Sequence, residues 1–235
     1  MSYLRDREEH QPGSVKWAYQ ILKGFYNETG KKWPLHPKDV DGGPEPKRPF
    51  LETEEAEAFM EMAKGNTQDY AMFRLVLITG IRKKELRELN VGDFRYPRIS
   101  IETAKGGERR IRTLDDETAD AIRKYVNGPR MIWGGRNNKP DSPLFLSPTG
   151  RRLPESTLTK WFRRYMRMLG KPKGCGMHAL RRTVVTWEAG SGMTDLEIQK
   201  LHGWKSSKMP SVYARLKPEV LEREAYEANP LIRGR

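Results

Sequence analysis

The chain has 235 residues, enough for one large domain or two small ones at roughly 100–200 residues each, and 44 Lys+Arg against 31 Asp+Glu give it a formal net charge of +13. A single cysteine, Cys175, excludes an internal disulfide framework; no apolar run approaches the roughly 18 residues of a membrane span, and Met1-Ser2-Tyr3-Leu4-Arg5-Asp6 does not read as a signal peptide. A soluble intracellular protein with a sizeable aromatic core is expected (6 Trp, 9 Tyr, 7 Phe), one that attracts polyanions such as nucleic acid.

Residues 1–13 are polar and read as a frayed start. Ser14 is expected to cap a helix that recurs through Ala18, Ile21, Leu22 and Phe25 and ends at Gly30. Residues 31–49 carry Pro34, Pro37, Pro44, Pro46 and Pro49 with Gly42-Gly43, which is linker composition and the best domain boundary. Thr53 with Glu54-Glu55 starts the next helix, its acids favourably placed in the first turn. A helix over 67–79 with Phe73, Val76 and Leu77 stops at Gly80, and a short one follows from Arg82 to Leu89.

The period then changes. Ile99 and Ile101 alternate with polar neighbours, Gly106-Gly107 makes a turn, and Ile111 and Leu114 lie beyond it, predicting an antiparallel hairpin or three-stranded sheet. Helix returns over about 116–127 with Ala119, Ile122 and Val126, and Leu144-Phe145-Leu146 is a short buried extended piece. Leu158, Trp161, Phe162, Tyr165, Met166 and Leu169 form the cleanest amphipathic helix. Three helices close the domain: one from about 177, one opened by the capping box Thr194-Asp195-Leu196-Glu197, and one holding Tyr213. A tail begins at Pro218. The fold class is mainly α with a small antiparallel β-sheet.

Metal chemistry is disfavoured by the ligand census. His10, His36, His178 and His202 form no tight set with Cys175, and Asp115-Asp116-Glu117 suits the first turn of a helix. No metal and no cofactor is expected, so phosphate chemistry here falls to cations and a side-chain nucleophile. In Thr79-Gly80-Ile81-Arg82-Lys83-Lys84-Glu85-Leu86, Gly80 breaks one helix and Arg82 projects from the start of the next, where amides favour an anion. Glu85, one turn on, is placed to hold that guanidinium. In Lys105-Gly106-Gly107-Glu108-Arg109-Arg110-Ile111-Arg112 the glycines let a hairpin tip approach a phosphate backbone, with Lys105 at the tip. His178 and Arg181 are three apart and share a helix face. Each of these, like Trp204 and Tyr213, also has an ordinary reading as surface cation or packing aromatic.

Their order is more informative than any one of them. Arg82, Lys105, His178-Ala179-Leu180-Arg181, Gly203-Trp204 and Tyr213 follow one another from 50 to 216 as in the catalytic domain of the tyrosine recombinases, the family of phage and archaeal integrases and Xer-type resolvases, which this stretch resembles. Thr79-Gly80-Ile81-Arg82 looks like that family's first-arginine motif, and Lys105-Gly106 like its hairpin lysine. His178-Ala179-Leu180-Arg181 matches its His-x-Leu-Arg box, and Leu201-His202-Gly203-Trp204 sits where it has Leu-Gly-His. The resemblance implies the tyrosine recombinase catalytic-domain fold and a metal-independent enzyme acting on double-stranded DNA through a covalent 3′-phosphotyrosine on Tyr213. Arg82 and Arg181 would hold the nonbridging oxygens, Lys105 would protonate the leaving 5′-oxygen, and His178 would accept or orient the tyrosine proton. Trp204 stands at the last-histidine position; its indole can donate a hydrogen bond but cannot exchange a proton.

Glu85 is a supporting residue in this reading, and Lys83, Lys84, Arg109, Arg110, Arg182 and Lys205 are expected to contact DNA. His202 is out of register by two and is read as a decoy. A type IB topoisomerase-like nicking-closing enzyme and a catalytically impaired DNA-binding module stay open as alternatives. The expected organisation is a remnant of a helical core-binding domain (1–30), a linker (31–49), the catalytic domain (50–216) and a tail helix (217–235). The resemblance also implies a homotetrameric synapse on DNA, no membrane, and a cytoplasmic, DNA-associated setting in a prokaryotic cell, virus or mobile element. With so short an N-terminal part, either a natural minimal form or a fragment is expected.

Overall fold

Residues 12–36, 49–103, 107–134, 139–171 and 175–204 are described by the structure, a computed structural model. They fall into two units that divide between Arg48 and Pro49. In the first, helix α1 (Pro12–Glu28) begins at the proline rather than at the expected cap Ser14. Proline suits a first helical position because its missing N–H would lack an intrahelical partner there anyway. Tyr19 and Tyr26 both pack edge-on against Trp33, with ring centroids 5.4 and 5.0 Å apart. The expected apolar face is not the one covered: Ile21, Leu22 and Phe25 are exposed within this unit.

The second unit is built around α3 (Thr67–Thr79), which α2 (Thr53–Ala63) precedes. The Asn66 side chain caps α3 by accepting from the amides of Gln68 and Asp69, each at 3.0 Å. Phe59 of α2, Phe73 of α3, and Phe162 and Tyr165 of α7 (Glu155–Met168) form one aromatic cluster, with centroid distances between 5.0 and 5.8 Å. Full burial of each such ring contributes about 1.5–3 kcal/mol, which makes this cluster the main anchor of the unit. Two polar groups drawn in with it find partners: Tyr165 donates to Asp69 at 2.7 Å, and Gln68 donates through its amide nitrogen to the Leu146 carbonyl at 2.8 Å.

After the short helix α4 (Lys83–Glu88) come β1 (Phe94–Arg95), β2 (Arg98–Thr103) and β3 (Gly107–Thr113), an antiparallel sheet in the order β1-β2-β3. Its register decides which side chains of β3 face the core. Ile99 lies opposite Arg112 and Ile101 opposite Arg110, and residues directly opposite point to the same face. Arg110 and Arg112 therefore share the inward face with the fully buried Ile99 and Ile101, while Ile111 is turned outward, 65% exposed. Two inward arginines are tolerated because both guanidiniums find carboxylate or carbonyl acceptors inside.

Helix α5 (Asp116–Asn127) follows, capped by the Asp115 side chain, which accepts from the Thr118 amide at 3.1 Å. A helix the sequence reading did not anticipate, α6 (Pro129–Gly134), carries the buried Arg130. Its guanidinium donates to the carbonyls of Pro143 and Leu144 at 2.8 and 3.1 Å and so pins the buried extended piece Leu144–Leu146. Helices α8 (His178–Gly190) and α9 (Asp195–His202) complete the described fold, the latter capped reciprocally by Thr194 and Glu197 as expected. Lys105, Lys205, Tyr213 and the tail from 217 lie outside the described residues. No described helix is long and apolar enough to cross a membrane.

Candidate active site

Two helix ends meet at the centre of the site. Helix α3 ends at Gly80 (φ 57°) and α9 at Gly203 (φ 60°), both in the left-handed region that favours glycine. Arg112 of β3 ties the two ends together. One of its amino groups donates to the Ile78 carbonyl at 3.1 Å and the other to the Leu201 carbonyl at 3.3 Å. A guanidinium there satisfies last-turn carbonyls and faces the negative ends of two helix dipoles.

Arg82 leaves the Gly80 turn and is held as its spacing predicts, with Nη1 2.7 Å from Glu85 Oε1. The second carboxylate oxygen takes a partner the sequence did not disclose, Arg110 of β3, again at 2.7 Å. The Arg82 amide also donates to Glu85, at 3.0 Å. Burial alone would raise the Glu85 carboxyl, but Arg110, Arg82 and that amide overcome it and hold the group down at about 2. One buried carboxylate thus orients two guanidiniums. The Arg110 Nη1 and Nε atoms make no further hydrogen bond among the described residues.

Helix α8 supplies the next two groups. Arg181, buried, donates through Nη1 to the carbonyl of Gly80, and its guanidinium lies over the Trp204 ring with Cζ 5.0 Å from the centroid. His178, one turn earlier, is exposed as a residue. Partial desolvation of its ring, then the cations Arg182, Arg181, Lys83 and Arg82, push its pKa down, so the imidazole is neutral at pH 7. A neutral imidazole amid four cations can accept a proton or a hydrogen bond. At the Gly80 carbonyl, Arg181 reaches the backbone two residues before Arg82, although 99 residues separate the two arginines in the chain.

The remaining candidates are distributed around this centre. Trp204 is buried rather than open. Lys83 is engaged by Glu155 at 3.1 Å, and Arg182 donates to the Pro49 carbonyl at 2.7 Å. Arg109 is on the outer face of β3, paired with Asp93 at 2.7 Å, and Lys84 is exposed. Among the described residues no group of three His, Cys, Asp or Glu could hold a metal ion.

His202, set aside in the sequence as out of register by two, has close neighbours in the fold. It is fully buried, its Nε2 is 2.5 Å from Glu188 Oε2, and its ring stacks on Trp204 with centroids 5.1 Å apart and planes 22° apart. The signal available in the sequence was its place at the last residue of a helix, directly before the Gly203-Trp204 pair; the partner Glu188 gave none.

The model of the phage integrase family matches residues 49–219. The chain belongs to the phage integrase family. Among its relatives in that family is the tyrosine recombinase XerA of Saccharolobus solfataricus, 32% identical over 166 residues that make up 69% of this chain and 50% of the relative. The chain spans about half the length of the curated relatives it matches. Its fold is that of solved phage integrase family members. A crystal structure of XerA recombinase superposes with a TM-score of 0.68 at 25% identity, covering 97% of this chain and 80% of that one. The Tn1549 transposon integrase in complex with transposon right-end DNA gives 0.75 at 21% identity, covering 94% and 81%.

Proposed function

We propose that this chain is a site-specific DNA recombinase or integrase that cuts and rejoins strands through a covalent 3′-phosphotyrosine. The observation that carries this reading is the junction at Gly80, where the Arg181 guanidinium meets the turn that launches Arg82, beside a neutral His178. It is supported by a relative named as a tyrosine recombinase and by a related integrase solved on DNA.

In this reading Arg82 and Arg181 grip the two nonbridging oxygens of the scissile phosphate, a task that planar guanidinium forks perform better than ammonium groups. Losing one such preorganised charge costs about 10²–10³ in rate. The Tyr213 oxygen attacks phosphorus, the bond to the 5′-oxygen breaks, and Lys105 gives that oxygen its proton. His178 takes or orients the tyrosine proton, and Trp204 packs the Arg181 guanidinium. The phosphotyrosine conserves the phosphodiester energy, so an incoming 5′-hydroxyl reverses the step without a cofactor. Exchange between two duplexes needs four breaks, and we assign a homotetrameric synapse in which the segment 217–235 couples neighbouring copies. Lys83, Lys84, Arg109, Arg182 and Lys205 supply phosphate contacts, whereas Arg110, expected from the sequence to do the same, is turned inward onto Glu85; the setting is the DNA-associated cytoplasm of a prokaryotic cell, virus or mobile element.

A pool of randomised duplexes, each nicked in one strand, tests the reading. The chain should form an SDS-resistant protein–DNA species whose sequencing returns the target, and Tyr213→Phe should form none while still binding DNA. Equal capture by the variant overturns the nucleophile assignment. Relaxation of supercoils without joining of two duplex sites would return the nicking-closing alternative.

A further inference from the structure

The site reading makes no use of the pair His202 and Glu188, an imidazole fully buried and a carboxylate mostly so. The His202 imidazole touches three things at once. Its Nε2 faces the Glu188 carboxylate at 2.5 Å, one face stacks on the Trp204 indole, and its edge lies against Gly80 so closely that a Cβ there would come within 2.5 Å of Cε1. The last two of these also fix Arg181, whose guanidinium lies over the Trp204 ring and donates to the Gly80 carbonyl. A single ring therefore backs both surfaces that direct that guanidinium.

We propose that His202 is a positioning residue of the candidate active site: anchored by Glu188, its ring sets the Trp204 indole and the Gly80 turn, and through them the direction of Arg181. This rests on the reading of Arg181 as a phosphate ligand.

The pair does something a plain apolar filler would not. Nδ1 of His202 has no hydrogen-bond partner among the described residues, so the ring is the neutral tautomer that donates from Nε2 to Glu188. A directed hydrogen bond fixes the ring's rotation as well as its volume. Facing the imidazole are Glu188 and Arg181 from α8 and Arg112 from β3, and from α3 the uncharged Gly80. Burial holds its pKa below 6.5, Glu188 pulls it back up, and Arg181 and Arg112 push it down. Protonation in acid would put a donor with no acceptor against the Gly80 turn and a third cation beside two guanidiniums. The ring then loses its fit, and Arg181 its direction.

Two measurements on the full chain test this. The first needs no reaction. Emission from Trp204, isolated by subtracting the spectrum of Trp204→Phe, should change in a step below pH 6.5. The step should be absent in His202→Phe and moved to lower pH in Glu188→Gln, because the carboxylate that raises the imidazole pKa is gone. A flat Trp204 signal in the parent protein, or a step that neither substitution alters, overturns the proposal. The second is the single-turnover rate of covalent capture at saturating nicked duplex, followed between pH 5 and 9, conditions set around the ordinary imidazole range of about 6.5. His202→Phe should lose about 10²-fold, the scale set by displacement of a group by an ångström, with DNA affinity nearly unchanged. Glu188→Gln should shift the acid limb downward, and His202→Gln, which can still donate to Glu188, should recover part of the rate. A rate and pH profile in His202→Phe equal to those of the parent would overturn the proposal. If the parent captures no DNA, the proposed function fails, and the emission step alone decides the role of His202.

Discussion

Glu85 controls more chemistry than its own charge. Its carboxylate holds Arg82 on one oxygen and Arg110 on the other, and it is fully buried while doing so. Glu85→Gln would leave two guanidiniums near each other with no anion between them, and breaking a buried pair of this kind costs about 3–5 kcal/mol. Because the folded carboxyl is lowered from 4.5 to about 2, its contribution is present above pH 4.5 and is lost as pH falls through that window. Urea unfolding between pH 7 and 2 should show this acid slope in the parent protein and a smaller one in the variant. Lys105 belongs to the same scale although it lies outside the described residues. Lys105→Ala should lose capture of normal DNA by orders of magnitude and recover most of it on a substrate with a 5′-thiol leaving group, which needs no proton. Without that recovery, Lys105 positions the phosphate rather than protonating it.

The elements earn their place in the site through their ends. The carboxyl ends of α3 and α9 face each other, joined by Arg112 and separated by the His202 ring. Gly80→Ala tests that arrangement. The left-handed conformation alone costs a non-glycine residue about 1–2 kcal/mol, and the new methyl would also strike the imidazole. His202→Ala removes the obstacle, so the double variant should be more stable than the sum of the two single changes predicts, measured as a double-mutant cycle by thermal or urea unfolding. Strict additivity would show that the two helix ends do not press on each other. Strand β3 matters at this scale too: Arg110 and Arg112 reach Glu85 and the helix ends because they share the inward face with Ile99 and Ile101.

For the molecule as a whole, the excess of 13 positive charges governs how it meets a polyanion. In the proposed reading, binding to duplex DNA is mainly counterion release. The logarithm of the affinity should then fall by about 0.9 for each phosphate neutralised as the logarithm of salt concentration rises. Fluorescence anisotropy at several salt concentrations gives that slope. Neutralising the exposed Lys84 should reduce it by about one unit if that side chain meets a phosphate. A slope near zero would remove electrostatics as the source of affinity. The two structural units are each ordered around their own contacts, the aromatic trio of Tyr19, Tyr26 and Trp33 in one and the cluster of Phe59, Phe73, Phe162 and Tyr165 in the other.

What the sequence by itself determined is what local physics decides. The span of α3, its stop at Gly80 and the reciprocal cap of α9 were legible because caps, left-handed glycines and helical periodicity act within a few residues. The Arg82–Glu85 pair was legible for the same reason, being one helical turn apart. The family was legible because residue types in a fixed order carry it without coordinates. Tertiary structure alone decided the partners that come from afar: Arg110 for the second oxygen of Glu85, Arg112 for two helix ends, Arg130 of the unanticipated α6 for the Leu144 segment, and Glu188 for His202. A charged residue on a strand usually faces water, and only the register that sets Arg110 opposite Ile101 turns it inward. The surroundings of His202 were not legible in the sequence because the three surfaces its ring touches come from α8, from the residue after Gly203, and from a turn 122 positions earlier.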